Sequence, residues 1–155
     1  TINDIEILPF GIPHDAADPV GYSFYLDSRK VTSVTDIGHL TDTILENIKG
    51  SDLLLMESNH DLDMLIKGPY PWPLKKRIKG DFGHLCNKDC GDFIAKYIEF
   101  GLKTVVLGHM SAENNIPQLA YDTVKQCIEN YGYVIGKDIS LDIAKREGHN
   151  RVFEL

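Results

Sequence analysis

The chain has 155 residues, 43% of them hydrophobic and 25% charged, which is typical of a single globular domain. No apolar run reaches the roughly 20 residues that a membrane-spanning helix needs, and the first residues lack the basic region of a signal peptide. The net charge of −7 argues against a basic coat for nonspecific nucleic-acid binding but allows a local basic patch.

The first half of the chain predicts four strands and one helix. Thr41 or Asp42 is suited to cap the helix, which Gly50 then ends. Three strands are indicated by β-branched and aromatic residues between turn formers, and the fourth by a continuous apolar run typical of a strand buried on both faces. These strands cover residues 5–10, 22–26, 31–35 and 53–56.

The second half predicts four helices and two further strands. Residues 61–80 are interrupted by the segment Gly68-Pro69-Tyr70-Pro71-Trp72-Pro73, which favours two short helices with a rigid turn between them. One longer helix is expected to start at Asn87 or Asp89 and another at Asn115. Strands are expected at residues 104–107 and 139–143. The alternation of strands and helices predicts an α/β fold.

The three cysteines predict no disulfide framework, because their number is odd and the Cys86-x3-Cys90 pair has no second pair to complete a zinc site. Free thiols in a reducing cytoplasm are the interpretation that we adopt.

Side chains of the kinds that bind metals follow several of the predicted strands at the point where each strand ends. In open α/β sheets, ligands bind at such strand ends, because rigid strands hold the converging loops. Imidazole and carboxylate groups are the usual ligands of zinc and manganese. The residues in this position are His14, Asp36, Glu57, Asn59, His60 and His109. Their recurrence indicates a shared metal or catalytic site, although each alone also has an ordinary structural explanation.

Several ordered motifs carry a family resemblance. They are Thr35-Asp36-Ile37-Gly38, Glu57-Ser58-Asn59-His60-Asp61, Gly68-Pro69-Tyr70-Pro71, Gly83-His84-Leu85-Cys86-Asn87, Leu107-Gly108-His109-Met110-Ser111 and Glu113-Asn114-Asn115. Together they resemble the YycJ (WalJ) group of metallo-β-lactamase-fold proteins, relatives of ribonuclease Z and the β-CASP nucleases. The resemblance runs from about residue 5 to 150 and implies half of an αββα sandwich, a mixed sheet flanked by helices.

The resemblance also implies a role for each matching residue. His14, Asp36 and His109 would bind two divalent ions, zinc or manganese, with Asp36 bridging them. His84 would donate a proton to the leaving oxygen. His60, a signature of the group, would lie beside these catalytic residues and contact metal, phosphate or only Glu57. Two ions about 4 Å apart can activate water and stabilise the departing oxygen of a phosphodiester.

The principal signature of the fold, His-x-His-x-Asp-His, is absent from the 155 residues. We therefore expect residues 1–155 to be one metallo-β-lactamase-fold domain that is incomplete at its N-terminus, with the missing half as its partner. A degenerate homologue is the alternative. In either case the ligands present should bind metal weakly, and the chain alone should not catalyse the reaction.

The substrate is indicated less directly. Lys75, Lys76, Arg77 and Lys79 form a basic run beside Tyr70 and Trp72. Such a run suits phosphate contact and base stacking, but a solvated helix face is the equally weighted alternative.

By resemblance, the expected function is a bacterial, cytoplasmic DNA exonuclease acting from 5′ ends, with Asn59, Lys75, Arg77 and Asn114 binding the nucleic acid. A noncatalytic regulatory domain and a hydrolase of small esters or thioesters remain alternatives, and the oligomeric state is open. His149 is interpreted as a surface residue.

Overall fold

A computed structural model describes residues 1–148 and 150–155, so the surface position expected for His149 lies outside the described residues. The strands are β1 Glu6–Gly11, β2 Val20–Leu26, β3 Arg29–Val34, β4 Leu53–Glu57, β5 Thr104–Gly108 and β6 Ser140–Ile143. The helices are α1 Asp42–Ile48, α2 Leu62–Lys67, α3 Trp72–Lys79, α4 Asn87–Tyr97 and α5 Pro117–Asn130, with a 3-10 turn at Ile98–Phe100. Each predicted strand and helix is therefore confirmed, with small shifts at the ends.

The six strands form one mixed sheet in chain order, β1-β2-β3-β4-β5-β6. β2 runs antiparallel to β1 and β3, and the pairs from β3 to β6 are parallel. The tight turn between β2 and β3 reverses the chain, whereas helical crossovers return it to the same direction. As a result, β1, β3, β4, β5 and β6 all end at one edge of the sheet, which is where the predicted ligand residues follow.

One face of the sheet forms the hydrophobic core together with α1, α4 and α5. Alternate residues of the central strands point into it, and Val34, Met56 and Leu107 are fully buried. Ile44 of α1 and Ile94 of α4 pack in the same cluster. Burial of each such side chain contributes about 1.5–3 kcal/mol to folding. This core fixes the strands whose ends carry the ligand residues.

The opposite face of the sheet retains solvent exposure, although its residues are apolar. Phe24, Val31, Leu53 and Leu55 are only partly buried, and Tyr22 is 41% exposed. The strand register places these residues on one side, because they alternate with the core residues of β2, β3 and β4. We call them the open sheet face.

The start of α4 at Asn87 agrees with the sequence-based expectation, whereas the start of α5 differs from it. α4 begins after Cys86, whose Sγ accepts a hydrogen bond from the Asp89 backbone N–H. α5 begins after Ile116, because the amide of Asn115 donates instead to the carbonyl groups of Ser58 and Asn59. Asn115 therefore joins two loops rather than capping a helix. The predicted cap at Thr41 is confirmed.

Candidate metal centre

Four of the predicted site residues meet at the sheet edge. Nε2 of His14 lies 3.5 Å from Oδ1 of Asp36, and Nε2 of His109 lies 3.6 Å from the same oxygen. The His84 ring lies between the other two imidazoles, with centroids 5.1 Å from His14 and 5.3 Å from His109. Three imidazoles thus surround one carboxylate oxygen at the ends of β1, β3 and β5.

Asp36 and His109 have unusual backbone conformations. Their φ angles are 60° and 52°, in the left-handed region that non-glycine residues rarely adopt. The surrounding hydrogen bonds hold both turns: the Ile37 N–H donates to Oε2 of Glu57, and the Asn59 amide donates to the His109 carbonyl. Strain of this kind is concentrated at functional sites, because the surrounding structure must enforce it.

Two glycines allow the loops of the cluster to approach closely. A Cβ atom at Gly38 would lie 2.1 Å from the Asp81 carbonyl oxygen, and one at Gly83 would lie 2.2 Å from the Arg77 carbonyl oxygen. In both cases the neighbour is a backbone carbonyl group, which cannot move aside without a large cost in energy. Glycine at these positions therefore lets the Asp36 and His84 loops pack against the segment after α3.

Glu57, the last residue of β4, orients two of the imidazoles. Its side chain is fully buried, and its Oε1 accepts hydrogen bonds from Nδ1 of His84 at 2.7 Å and from Nδ1 of His109 at 2.8 Å. Nδ1 of His14 likewise donates to the Gly83 carbonyl at 3.1 Å. Because each Nδ1 carries the donated proton, each ring is left with Nε2 free to act as a ligand or to exchange a proton.

The electrostatics of the cluster follow from these contacts. Burial acts to raise the pKa of Glu57, but hydrogen bonds from His109, His84 and the Ile37 N–H outweigh it, so the net pKa is lowered and the carboxylate stays charged. The hydrogen bond to Glu57 raises the pKa of His109, against the opposing effect of burial. A proton and a metal ion would compete for Nε2 of His109, so this ring should bind metal more readily as the pH rises.

The donor atoms fit a divalent metal ion. Ligand atoms of His14, Asp36 and His84 lie within 4.8 Å of one another, and Nε2 of His109 lies 3.6 Å from Oδ1 of Asp36. Neutral imidazole nitrogens oriented by hydrogen bonds on their far side are characteristic of zinc and manganese sites. A carboxylate such as that of Asp36, whose oxygens make only one long hydrogen bond among the described residues, from the Thr35 hydroxyl, suits a position between two ions.

A cleft of about 540 Å³ opens above the cluster, and Asn59 and Arg77 line it together with the ligands. Arg77 binds Asp15 through two hydrogen bonds, from Nε at 2.5 Å and from Nη2 at 2.8 Å. This contact lowers the pKa of Asp15 and holds the guanidinium at the cleft. The structure therefore places the predicted substrate residues Asn59 and Arg77 at the cluster.

The structure does not bring His60, Lys75 and Asn114 to the cleft. His60 is 1% exposed, and neither ring nitrogen has a hydrogen-bond partner among the described residues. Burial lowers its pKa to about 4. The Lys75 ammonium donates to the carbonyls of Ile66 and Gly68 at the end of α2. Asn114 is fully buried. The side chains of these three residues are therefore enclosed by the protein and do not reach a substrate in the cleft.

Three residues that contact the cluster or line its cleft were given no individual role by the sequence: Glu57, Asp15 and Arg146. Glu57 was noted only as a strand-end residue, although a carboxylate directly after a buried strand is the signal that could have singled it out. Asp15, which holds Arg77, has no such signal. Arg146 lines the cleft three residues beyond β6, so the strand-end rule that found His14 and His109 also applies to it.

Comparison with known proteins identifies relatives of the chain. It is 42% identical over 137 residues to exodeoxyribonuclease YycJ of Bacillus anthracis, covering 88% of this chain and 52% of that protein. It is 36% identical over 141 residues to exodeoxyribonuclease WalJ of Streptococcus pneumoniae, covering 91% and 52%. No family model matches. The resemblance to the YycJ and WalJ proteins is confirmed, and the chain spans about half of their length.

The fold is that of metallo-β-lactamase-fold proteins. The metallo-β-lactamase fold protein YhfI of Bacillus subtilis superposes with a TM-score of 0.66 at 16% identity, covering 94% of this chain and 48% of YhfI. The predicted fold class is confirmed: a mixed sheet with helices that corresponds to about half of such a protein. In the part of the chain that the structure describes, no helix is long and apolar enough to cross a membrane.

Proposed function

We propose that this chain supplies the His14, Asp36, His84 and His109 side of a divalent-metal site in a phosphodiester hydrolase that degrades DNA. The observation that carries the proposal is the convergence of two imidazole Nε2 atoms on Oδ1 of Asp36, each ring oriented by a hydrogen bond on its far side. The names of the relatives, both exodeoxyribonucleases, support the same chemistry. Because the chain spans half of those relatives, the activity belongs to the protein that completes the site.

His14, Asp36 and His109 would hold the metal ions, zinc or manganese, with Asp36 between two of them. When bound, such ions polarise a phosphoryl oxygen and lower the pKa of a coordinated water. The Asp36 side chain is 39% exposed and presents Oδ1 to His14 and His109, while its Oδ2 accepts a long hydrogen bond from the Thr35 hydroxyl. Glu57 keeps the His109 ring in the tautomer that offers Nε2.

His84 is the proposed proton donor to the leaving oxygen. Hydrolysis breaks the bond between phosphorus and the ester oxygen, and that oxygen needs a proton as it departs. His84 is held at Nδ1 by Glu57, so its Nε2 is the atom that would deliver the proton. The Glu57 carboxylate stabilises the imidazolium from the opposite side of the ring, as a buried acid does behind other catalytic histidines.

The proposed DNA contacts lie along α3 and the cleft. Arg77 lines the cleft and can bind a phosphate in the planar, two-pronged way that guanidinium groups favour. The Lys76 ammonium lies 5.9 Å from the centre of the Trp72 ring, which is 59% exposed and free to stack on a base. Of the basic run, Lys75 does not contribute, because its ammonium is used at the end of α2.

The cleft favours a phosphodiester over a small ester or thioester. An acyl group requires an apolar pocket at the reacting atoms, whereas the cleft mixes the polar residues Asn59, Arg77 and Arg146 with apolar ones such as Leu74 and Ile78. Guanidinium groups that line the cleft suit a substrate with fixed negative charge, although Asp15 already binds one edge of Arg77. DNA as the substrate, and cleavage from its 5′ end, rest on the relatives' names and on the sequence resemblance, so these details need a direct assay.

The test is metal titration followed by hydrolysis, comparing Asp36→Asn with the matched control Asp122→Asn, an exposed carboxylate on α5. The measurements are calorimetry with manganese and zinc on this chain and, on a protein in which the missing half completes the site, cleavage of 5′-phosphorylated duplex DNA and hydrolysis of 4-nitrophenyl acetate. We expect Asp36→Asn to reduce metal affinity by more than about tenfold and to abolish DNA cleavage, while Asp122→Asn behaves like the wild type. Metal-independent cleavage, or an ester hydrolysed in preference to DNA, would refute the proposal.

A further inference from the structure

A second cavity, of about 700 Å³, lies beside the imidazole cluster and has no role in the proposed reaction so far. The two cavities share the loop from His109 to Ala112 and the side chain of Arg146 as their common wall. We call this second cavity the side cavity. The side cavity is lined by Met110, Pro117, Ala144, Lys145 and Arg146, among others.

The walls of the side cavity combine an apolar surface with two cations. Met110, Pro117 and Ala144 provide aliphatic and thioether contacts, and Lys145 and Arg146 provide positive charge. None of the described residues that line it is acidic. A ligand that is flat and apolar at one end and anionic at the other matches these walls, since binding pockets pair an apolar surface with a few placed polar groups.

The loop after β6 that carries the cations is held in place by hydrogen bonds. The Ala144 N–H donates to the Leu107 carbonyl at 2.8 Å, continuing the pairing of β6 with β5. The Asn150 side chain accepts from the Lys145 N–H and donates to the Ile143 carbonyl. Arg146 donates from Nη2 to the Met110 carbonyl at 2.7 Å, so its guanidinium is fixed at the wall between the two cavities.

The N-terminus of α5 adds to the positive potential. Pro117 is the first residue of this 14-residue helix, and the preceding Ile116 gives no side-chain cap. The positive end of the helix dipole and the uncapped N–H groups therefore face the region of the side cavity that Pro117 lines. The helix end strengthens the case for an anionic group, which rests first on Lys145 and Arg146.

We infer that the side cavity binds the nucleotide next to the phosphate that is cleaved, a deepening that rests on the proposed function. The base lies on Met110, Pro117 and Ala144, where an aromatic ring gains apolar contact whatever its sequence. The flanking phosphate faces Lys145 and Arg146. Arg146 lies at the wall that the two cavities share, so it contacts the substrate in the cleft and in the side cavity. It is the specificity-determining residue that distinguishes a nucleotide chain from a small phosphodiester.

Binding without metal tests the inference independently of catalysis. The probe is thymidine 3′,5′-bisphosphate, titrated in a chelating buffer and followed by calorimetry and by the NMR shift of the Met110 methyl group. We expect Arg146→Ala to weaken binding about tenfold, the usual effect of losing a charge-assisted hydrogen bond. We expect Ala144→Phe, which fills the cavity, to weaken it at least as much. Lys137→Ala removes an exposed cation that precedes the first residue of β6. It should leave binding unchanged.

A second measurement separates this inference from the proposed function. Hydrolysis of bis(4-nitrophenyl) phosphate with manganese, by the protein that contains the chain, needs the metal site but no adjoining nucleotide. Ala144→Phe changes a residue that lines the side cavity and not the cleft, so it should leave this hydrolysis within about threefold of wild type while raising KM for DNA about tenfold. If the bisphosphate does not bind, or binds equally to all variants, the side-cavity inference fails even where hydrolysis persists. If binding follows the expected pattern but no phosphodiester is hydrolysed, the proposed function fails alone.

Discussion

At the scale of single residues, a buried carboxylate determines how the exposed imidazoles can act. Glu57 uses Oε1 for the Nδ1–H groups of His84 and His109 and Oε2 for the backbone of Ile37. One side chain thus fixes two ring tautomers and the strained Asp36 turn that follows Thr35. The ligand residues were predictable from their positions after strands. Their orientation was not, because it depends on a hydrogen-bond network between residues 20 to 52 positions apart.

His60 leads to a prediction about stability and pH. Burial lowers its pKa to about 4, and its ring nitrogens have no hydrogen-bond partner among the described residues. An unfolded histidine has a pKa near 6.5, so between about pH 6.5 and pH 4 the unfolded chain binds the extra proton. The free energy of unfolding should therefore be fully retained above pH 6.5 and fall as the pH drops, by up to about 3 kcal/mol from this residue.

The variant His60→Leu should lose that part of the pH dependence, because leucine has a similar volume and does not titrate. Urea unfolding at pH 7.5, 6.0 and 5.0 measures how the free energy of unfolding changes with pH. The control is His39→Leu, which replaces an exposed histidine and should keep the pH dependence of the wild type. An unchanged pH dependence in His60→Leu would show that His60 is protonated in the folded protein or bonded to a group that neutralises its burial.

At the scale of secondary-structure elements, the sequence predicted where the strands and helices lie. It did not predict which contacts their side chains make. The apolar runs and turn formers located every strand because they are local signals, and Thr41 capped α1 as expected. The basic run of α3 is the opposite case. Lys75 and Arg77 are two positions apart, so on a helix they point to different sides. One is buried against α2, and the other lines the cleft. Sequence alone does not give the rotation of the helix that decides between them.

Lys75 therefore has a predicted effect on stability. Its ammonium satisfies the carbonyls of Ile66 and Gly68, and the negative end of the α2 dipole favours a cation there. We expect Lys75→Met to lower the free energy of unfolding by about 1–2 kcal/mol, because two partly buried carbonyls at the end of α2 lose their charged donor. Lys79→Met, at an exposed position on the same helix, should change it by less than about 0.5 kcal/mol. Chemical denaturation compares the two, and equal losses would contradict the structural role of Lys75.

At the scale of the whole molecule, the sheet is covered on one side only. The core face packs against α1, α4 and α5, whereas the open sheet face keeps apolar residues such as Tyr22, Phe24 and Leu55 partly exposed. Contiguous apolar surface of this kind marks an interface. The chain spans about half of its relatives and of the similar structure YhfI. We therefore propose that a second half, which the sequence predicts to complete both the sandwich and the ligand set, covers the open sheet face.

The expected result is a one-to-one complex between this chain and the remaining half of a protein as long as its relatives, supplied as a separate polypeptide. Sheets that pack face to face bury their apolar residues in a layer about 10 Å thick, so a charge in that layer should prevent association. Leu55→Asp, on the open sheet face, should abolish the complex and the gain in metal affinity that accompanies it. Leu8→Asp, at an exposed position of the edge strand β1 on the other face, should leave both intact. Light scattering after gel filtration measures the complex, and calorimetry with manganese measures the affinity. If Leu55→Asp associates as well as the wild type, the second half packs elsewhere, and the His14, Asp36 and His109 cluster must then gain its remaining ligands from another direction.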